Sequence, residues 1–341
     1  MTLLSYLDRV MARENLSAAD AEQAMLAILG GDASTAQIAA FLVALRMKGE
    51  TAQELVGFAR AMRQRASRIE TGLEVAKLVD TCGTGGDYAG TFNISTIAAF
   101  VVAGAGVHVA KHGNRSITSR CGSADVMEAL GVKIALTTEQ LARSARETGI
   151  AFLFAPTIHP AMKFAQPARL ELKTRTVFNI LGPLTNPAGA GAQLLGAPSE
   201  QAAGLIAEAL CGLGINHGFV VHGSDGLDEI TTTGPSLVFE ITGTRVERKT
   251  VDPDDFGVPL AKPEDLKGGD LDTNCAIARD VLSGGTGPKR DAVLVNAAAA
   301  LVAAGGAADF REGMALAAKS IDSGAAQRKV EKLVRFTQQF A

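Results

Sequence analysis

Over the first 70 residues the apolar positions recur with a helical period and no other. Ser17 stands as an N-cap three residues before Asp20, and Ala21, Ala24, Met25 and Ile28 then line one face until Gly30-Gly31 stops the run. Ile38, Phe41, Leu42 and Leu45 fall at i, i+3, i+4 and i+7, and Leu55, Phe58, Ala59 and Met62 repeat that spacing behind a Thr51 cap with Glu54. This pattern predicts a small helical domain over residues 1–70.

From Lys77 the texture changes to short apolar runs, glycine turns and helices in alternation. That alternation is the mark of a mostly parallel central sheet flanked by helices, so residues 71–341 are expected to form a larger α/β domain. Strands are predicted at 76–79, 107–110 and 217–222, and a helix at 200–213 ended by Gly214. A hairpin is predicted where 236–241 and 245–251 flank Thr242-Gly243-Thr244, and helices again from Asp272, with Asn296 inside an alanine-rich run. A further helix over 161–173 is expected to fold back on the N-terminal helices.

Composition narrows the function more than the fold. The chain has 341 residues, 47% hydrophobic and 20% charged, which excludes disorder for most of it. Lys+Arg 33 against Asp+Glu 36 leaves a net charge of -3 and no field to hold a nucleic-acid backbone. The uncharged run 97–107 is too short to span a bilayer, and Asp8 and Arg9 interrupt any leader-like stretch, so a cytoplasmic protein with no membrane partner is expected. Cys82, Cys121, Cys211 and Cys275 are too dispersed for a zinc site or a disulfide framework and are read as small buried apolar residues.

Four segments carry candidate chemistry. Asp80-Thr-Cys-Gly-Thr-Gly-Gly-Asp87 leaves the first predicted strand, and Asn93-Ile-Ser-Thr96 opens a helix, an order that turns backbone N–H groups and a helix N-terminus toward an anion. Tyr88 stands where a dinucleotide fingerprint needs its third glycine, and no P-loop lysine follows. Ser95 and Thr96 also read as N-caps. Lys111-His-Gly-Asn-Arg115 and Thr118-Ser-Arg-Cys-Gly-Ser-Ala-Asp125 gather cations and amide donors after a buried strand. Asp228-Glu229 in Gly226-Leu-Asp-Glu229 offers hard oxygen ligands suited to Mg²⁺, whereas the denser Asp252-Pro-Asp254-Asp255 reads as a solvated turn. His159-Pro-Ala-Met-Lys163, Arg169 and Asn179-Ile-Leu-Gly-Pro-Leu-Thr-Asn-Pro187 complete the set; Arg169 can clamp a carboxylate, and the prolines around Gly182 predict a rigid extended turn.

In this order, nearly end to end, GTGGD, NIST, KHGNR, CGSAD, HPAMK, NILGPLTNP and GLDE resemble the anthranilate phosphoribosyltransferase family. The resemblance implies a homodimer that transfers the phosphoribosyl group of PRPP to the amine of anthranilate in tryptophan biosynthesis, with two Mg²⁺ per subunit. It implies PRPP contacts from Gly83, Thr84, Gly85, Gly86, Asp87, Asn93, Ser95, Thr96, Lys111 and Ser123. Ser95, Asp228 and Glu229 would face magnesium, and Gly83, His112, Asn114, Arg169 and Gly182 would form the anthranilate side. Thr118 and Cys121 stand where relatives often carry serine.

No catalytic triad or activated cysteine is evident, which fits direct attack by the amine with catalysis by positioning and leaving-group stabilisation. Three other readings remain at this point: a pyrimidine nucleoside phosphorylase, a non-catalytic nucleic-acid-binding relative, and a transferase for another aromatic amine. The carboxylate pair and the KHGNR segment favour PRPP and magnesium over the first, and the charge balance disfavours the second.

Overall fold

The computed structural model describes residues 2–85, 89–116 and 121–340. Four helices open the chain: α1 (Leu3–Met11), α2 (Ala18–Gly30), α3 (Thr35–Lys48) and α4 (Ala52–Arg65). Ser17 caps α2 by accepting from the Asp20 N–H, and Ser34 with Gln37 and Thr51 with Glu54 close capping boxes on α3 and α4. Every apolar position counted in the helical pattern above is buried. Glu54 is wholly enclosed, yet its carboxylate is met by Leu16 N, Thr51 N and Lys48 Nζ, each at 2.9 Å, so an inward charge is tolerated where three donors converge on it.

The larger α/β domain follows. Its first half runs β1 (Leu78–Gly83), α5 (Ile94–Gly104), β2 (His108–Gly113), α6 (Ser123–Ala129), α7 (Thr138–Thr148), β3 (Ile150–Phe154), α8 (Ala155–Ile158), α9 (Gln166–Leu172) and α10 (Phe178–Leu181). The second half runs β4 (Ala192–Gly196), α11 (Glu200–Gly212), β5 (His217–Gly223), β6 (Ser236–Thr242), β7 (Arg245–Val251), α12 (Leu271–Leu282), α13 (Pro288–Ala303), α14 (Phe310–Asp322) and α15 (Ala325–Thr337). The sheet order is β3-β2-β1-β4-β5-β6-β7, parallel from β3 to β5 and antiparallel at β6 and β7. The chain moves outward from β1 to β3 and then returns to lay β4 on the other side of β1. The direction of winding therefore reverses between β1 and β4, and a crevice opens at their carboxyl ends.

Both faces of the sheet are covered, which is why its strands are apolar on both sides. Val79, Val109, Leu194 and Phe219 share a core with α5 and α12 to α15, while Cys82, Leu195 and Val220 share one with α4, α11 and the N-terminal helices. Ala165 and Ala168 join that second core, so the segment around α9 lies against α3.

The structure corrects several boundaries. Residues 75–77 form a 3-10 turn, and β1 begins at Leu78 and runs on through Asp80, Thr81 and Cys82. Likewise β2 continues through Lys111 and His112. These polar residues looked like loop because their partners are remote in sequence: Asp80 accepts from His112 N at 3.0 Å and from Asn186 Nδ2 at 2.8 Å. The expected helix over 161–173 is a 3-10 turn (Pro160–Phe164) followed by α9, since Pro167 at the start of α9 cannot continue a helix from before it. The turn around Gly182 is not extended: α10 leads into a 3-10 turn over Gly182–Thr185, with Pro183 at a first-turn position that needs no N–H. The hairpin is tighter than expected, because Thr242 pairs with Arg245 and leaves Gly243-Thr244 as the loop.

Candidate active site

Two strand ends and one loop build the first wall of the crevice. The β1–β4 ladder runs one residue past β1, with Thr84 N donating to Gly196 O at 3.0 Å. Across both ends lies the loop after β5, where Asp228 Oδ2 accepts from Gly85 N at 2.7 Å. A Cβ at Gly83 would sit 2.4 Å from that same oxygen, and one at Gly196 only 1.5 Å from the Asp228 carbonyl oxygen. Glycine at both positions is what lets the loop settle on the strand ends. Glu229 Oε1 accepts from Ser95 N at 3.1 Å in the first turn of α5, a favourable seat for a carboxylate at a helix N-terminus.

Beneath this wall lies Lys111, 1% exposed. Its ammonium reaches the Thr81 carbonyl and, at 3.3 Å, Ser95 Oγ. Burial holds its pKa below the usual lysine value, while Asp80, Cys82, Glu229 and Asp228 oppose that effect. Asp80, completely enclosed, is pushed up to about 6 by its burial. The N-cap of α5 is Asn93, not Ser95 or Thr96, which lie inside the first turn. Asn93 uses its side chain elsewhere, donating to Cys121 O at 3.2 Å and accepting from Asn274 Nδ2 at 3.1 Å. Thr96 Oγ1 is buried with no hydrogen-bond partner among the described residues. Ser123 Oγ bridges Asn114 N and O, each at 3.2 Å, and Arg115 is spent on Asp125 and Glu128 of α6.

The opposite wall is nearly stripped of net charge. His112 is buried with Nε2 unpartnered among the described residues, and burial, helped by neighbouring His159, pushes its pKa down to about 3. The two rings lie 5.2 Å apart, and His159, lowered to about 4 by burial, has Nε2 3.4 Å from Thr185 Oγ1. Both imidazoles are neutral at physiological pH. Arg169, half-buried on α9, lays its guanidinium 5.3 Å from the Phe178 ring centroid and has no carboxylate partner among the described residues. A Cβ on Gly182 would meet nothing within 4 Å, so that glycine leaves room in the crevice.

Together the walls enclose a cleft of about 670 Å³, within the range of small-molecule sites. It gathers Gly83, Thr84, Gly85, Asn93, Ser95, Thr96, Lys111, His112, Asn114, Ser123, Arg169, Gly182, Asp228 and Glu229, all singled out from the sequence. Gly86, Asp87, Thr118, Ser119 and Arg120 lie outside the described residues. Sequence reasoning named Asn186 only as part of its proline-rich segment and missed Gly196, Arg175 and Asn274. No strand is predicted from the sequence over 192–196, so nothing local marks Gly196; Arg175 and Asn274 become legible only through partners about 90 and 180 residues away.

The donor chemistry suits a hard cation. Two carboxylates and the Ser95 hydroxyl share one wall, while no cluster of three or more His, Cys, Asp or Glu forms a metal cage among the described residues. Such a set fits Mg²⁺, which typically takes one or two carboxylates and completes its shell with water and phosphate oxygens. No helix among the described residues is long and apolar enough to cross a membrane.

Two family descriptions match the chain: a glycosyl transferase family helical bundle domain over residues 4–66 and a glycosyl transferase family α/β domain over 75–327. The anthranilate phosphoribosyltransferase of Solibacter usitatus is 66% identical over 336 residues, covering 98% of this chain and 99% of its own. Among solved structures, the anthranilate phosphoribosyltransferase of Thermus thermophilus superposes with a TM-score of 0.92 at 43% identity, covering 97% of this chain and 99% of that one. The Saccharomyces cerevisiae enzyme in complex with PRPP and Mg gives 0.90 at 29% identity, covering 99% of this chain and 98% of that one; it has also been solved with 4-fluoroanthranilate.

Proposed function

This chain belongs to the anthranilate phosphoribosyltransferase family, and from that premise we propose how its cleft is divided between two substrates. The enzyme transfers the phosphoribosyl group of PRPP to the amine of anthranilate, giving N-(5-phosphoribosyl)anthranilate and pyrophosphate in tryptophan biosynthesis, and it uses Mg²⁺. The observation that carries the division is the contrast within the cleft: Asp228 and Glu229 seated on glycine and helix N–H groups, and elsewhere in the lining the neutral His112 imidazole, backed by His159, with one guanidinium over an aromatic ring.

PRPP occupies the first wall, held by Gly83, Thr84, Gly85, Gly86, Asp87, Asn93, Ser95, Thr96, Lys111 and Ser123. Two magnesium ions per subunit are proposed, one at Ser95 and one at Asp228 and Glu229; when bound, they neutralise the charge that develops on the departing pyrophosphate. Lys111 fixes the Ser95 hydroxyl and offsets the two carboxylates from below. Anthranilate sits between Gly83, His112, Asn114, Arg169 and Gly182, with its carboxylate on Arg169. The aromatic amine carries its lone pair free at neutral pH; it attacks the ribose carbon directly as the bond to pyrophosphate breaks and then gives up one proton to solvent, with no covalent enzyme intermediate.

The proposed division of the chain is a helical domain over 1–70, with the α9 segment against it, and a phosphoribosyltransferase domain over 71–341. A homodimer through the helical domain is proposed on the exposed Leu4 and Met11 of α1 and Val43 and Met47 of α3, an apolar face that a second copy would cover. A cytoplasmic location follows from soluble phosphorylated substrates. The test is loss of anthranilate fluorescence on mixing purified protein with PRPP and Mg²⁺. Consumption that needs every component supports the reading. Persistence of anthranilate with phosphate-dependent cleavage of thymidine or uridine would favour a phosphorylase instead.

A further inference from the structure

Gly85 is held in the left-handed region at φ 66°, a conformation glycine enters without strain but also leaves without cost. Its setting must therefore be imposed from outside, and both of its polar groups are taken. The N–H goes to Asp228 Oδ2 at 2.7 Å, and the carbonyl accepts from Arg175 Nη2 at 3.1 Å. Arg175 belongs to the connection between α9 and α10, where Lys173, a non-glycine residue at φ 47°, turns the chain back. That connection is itself held from the helical domain: Arg46 of α3 donates to the Arg175 carbonyl at 2.5 Å and to Thr174 Oγ1. Arg46 does not line the cleft. A continuous path thus runs from α3 through Arg175 and Gly85 to Asp228. Arg169 and Phe178, on the proposed acceptor wall, lie just before and just after Arg175 in the chain.

We propose that Arg175, held in place by Arg46, is a positioning residue for the Gly83–Gly85 turn and couples the acceptor wall to the PRPP wall. This rests on the division of the cleft given above. One short segment carries the acceptor-side guanidinium and pins the phosphate-side turn, so ordering that segment on either substrate favours the seating of the other.

The experiment is a double-mutant cycle in the full chain, with Arg46→Ala, Arg175→Ala and the pair, measuring KM for each substrate, kcat and thermal midpoint. Arg175→Ala is expected to raise KM for PRPP roughly tenfold and Arg46→Ala about threefold, while the pair stays near tenfold because both act through one path. A purely structural role would lower the thermal midpoint or the active fraction and leave KM for PRPP unchanged, which overturns the proposal. A pair whose effects multiply to about thirtyfold, or Arg46→Ala with wild-type KM, overturns it too. Should Arg175→Ala fail to fold, Arg175→Lys replaces it in the cycle, since lysine keeps the charge but loses the guanidinium fork. A wild-type protein that consumes no anthranilate with PRPP strikes the transferase reading itself; an active wild type with independent effects strikes only this coupling.

Discussion

The two walls of the cleft solve opposite problems with different kinds of residue. On the proposed PRPP wall the ends of β1 and β4 are glycine, and backbone donors and two carboxylates come close enough to share hydrogen bonds at 2.7 and 3.1 Å. On the proposed acceptor wall burial removes charge: His112 is neutral, as is His159 behind it, and Arg169 rests on Phe178 without a carboxylate partner among the described residues. A metal-loaded polyanion needs many fixed dipoles, whereas a flat aromatic amine needs an apolar slot with one cation for its carboxylate. On this proposed division a chain with net charge -3 binds a strongly anionic substrate by local placement of donors in place of overall charge.

The sharpest break in that comparison comes from Asp228→Asn with Glu229→Gln. Steady-state kinetics over a Mg²⁺ series should show kcat/KM for PRPP falling roughly 10²–10³-fold with a near-native thermal midpoint. Wild-type-like turnover would remove the carboxylates from the metal site. Next in size is Gly196→Ala, whose added methyl meets the Asp228 carbonyl at 1.5 Å and must push the loop away. Denaturant unfolding should show a loss of about 1–3 kcal/mol, accompanied by a drop in activity larger than that loss explains. Arg169→Ala should raise KM for anthranilate roughly tenfold and leave KM for PRPP nearly unchanged, since it removes a single charge-assisted contact on one wall. Equal rises in both constants would erase the boundary between the walls.

A further prediction concerns pH. His112 and His159 titrate near 3 and 4 in the folded chain against 6.5 when exposed, so between those values the unfolded chain binds protons that the folded one refuses. Stability from these two groups is present above 6.5 and is lost as pH falls across that window. Asp80, raised to about 6, works in reverse between 3.8 and 6, where the folded chain takes the proton first. The histidines outnumber it. Denaturation at about pH 7 and about pH 4.5 should therefore show wild type losing more stability on acidification than His112→Asn does. Matching losses would mean the His112 ring is not held neutral by the wall.

Legibility in the sequence followed the range of the interactions. Capping boxes at Ser34 and Thr51 and the apolar faces of α2 to α4 are local, so spacing alone reveals them. The strand–glycine–helix order around Gly83 and Ser95 is also local, and the structure brings both residues into the cleft. Strand lengths were not legible at Asp80 or Lys111, because a polar residue in a buried strand depends on a distant partner such as Asn186 or Ser95. Asn274, which reaches Asn93 and the Gly269 N–H, carries no motif at all; its role lies wholly in tertiary contact. The paired histidines illustrate both cases: each was visible within a named segment, but their mutual burial was not.

The most direct test of the two-wall account is calorimetric titration of PRPP with Mg²⁺ into wild type, Arg169→Ala and the Asp228→Asn/Glu229→Gln variant. The account predicts that Arg169→Ala keeps the wild-type Kd for PRPP within about twofold while the double carboxylate variant weakens it about a hundredfold or more. Comparable weakening in both variants would contradict it.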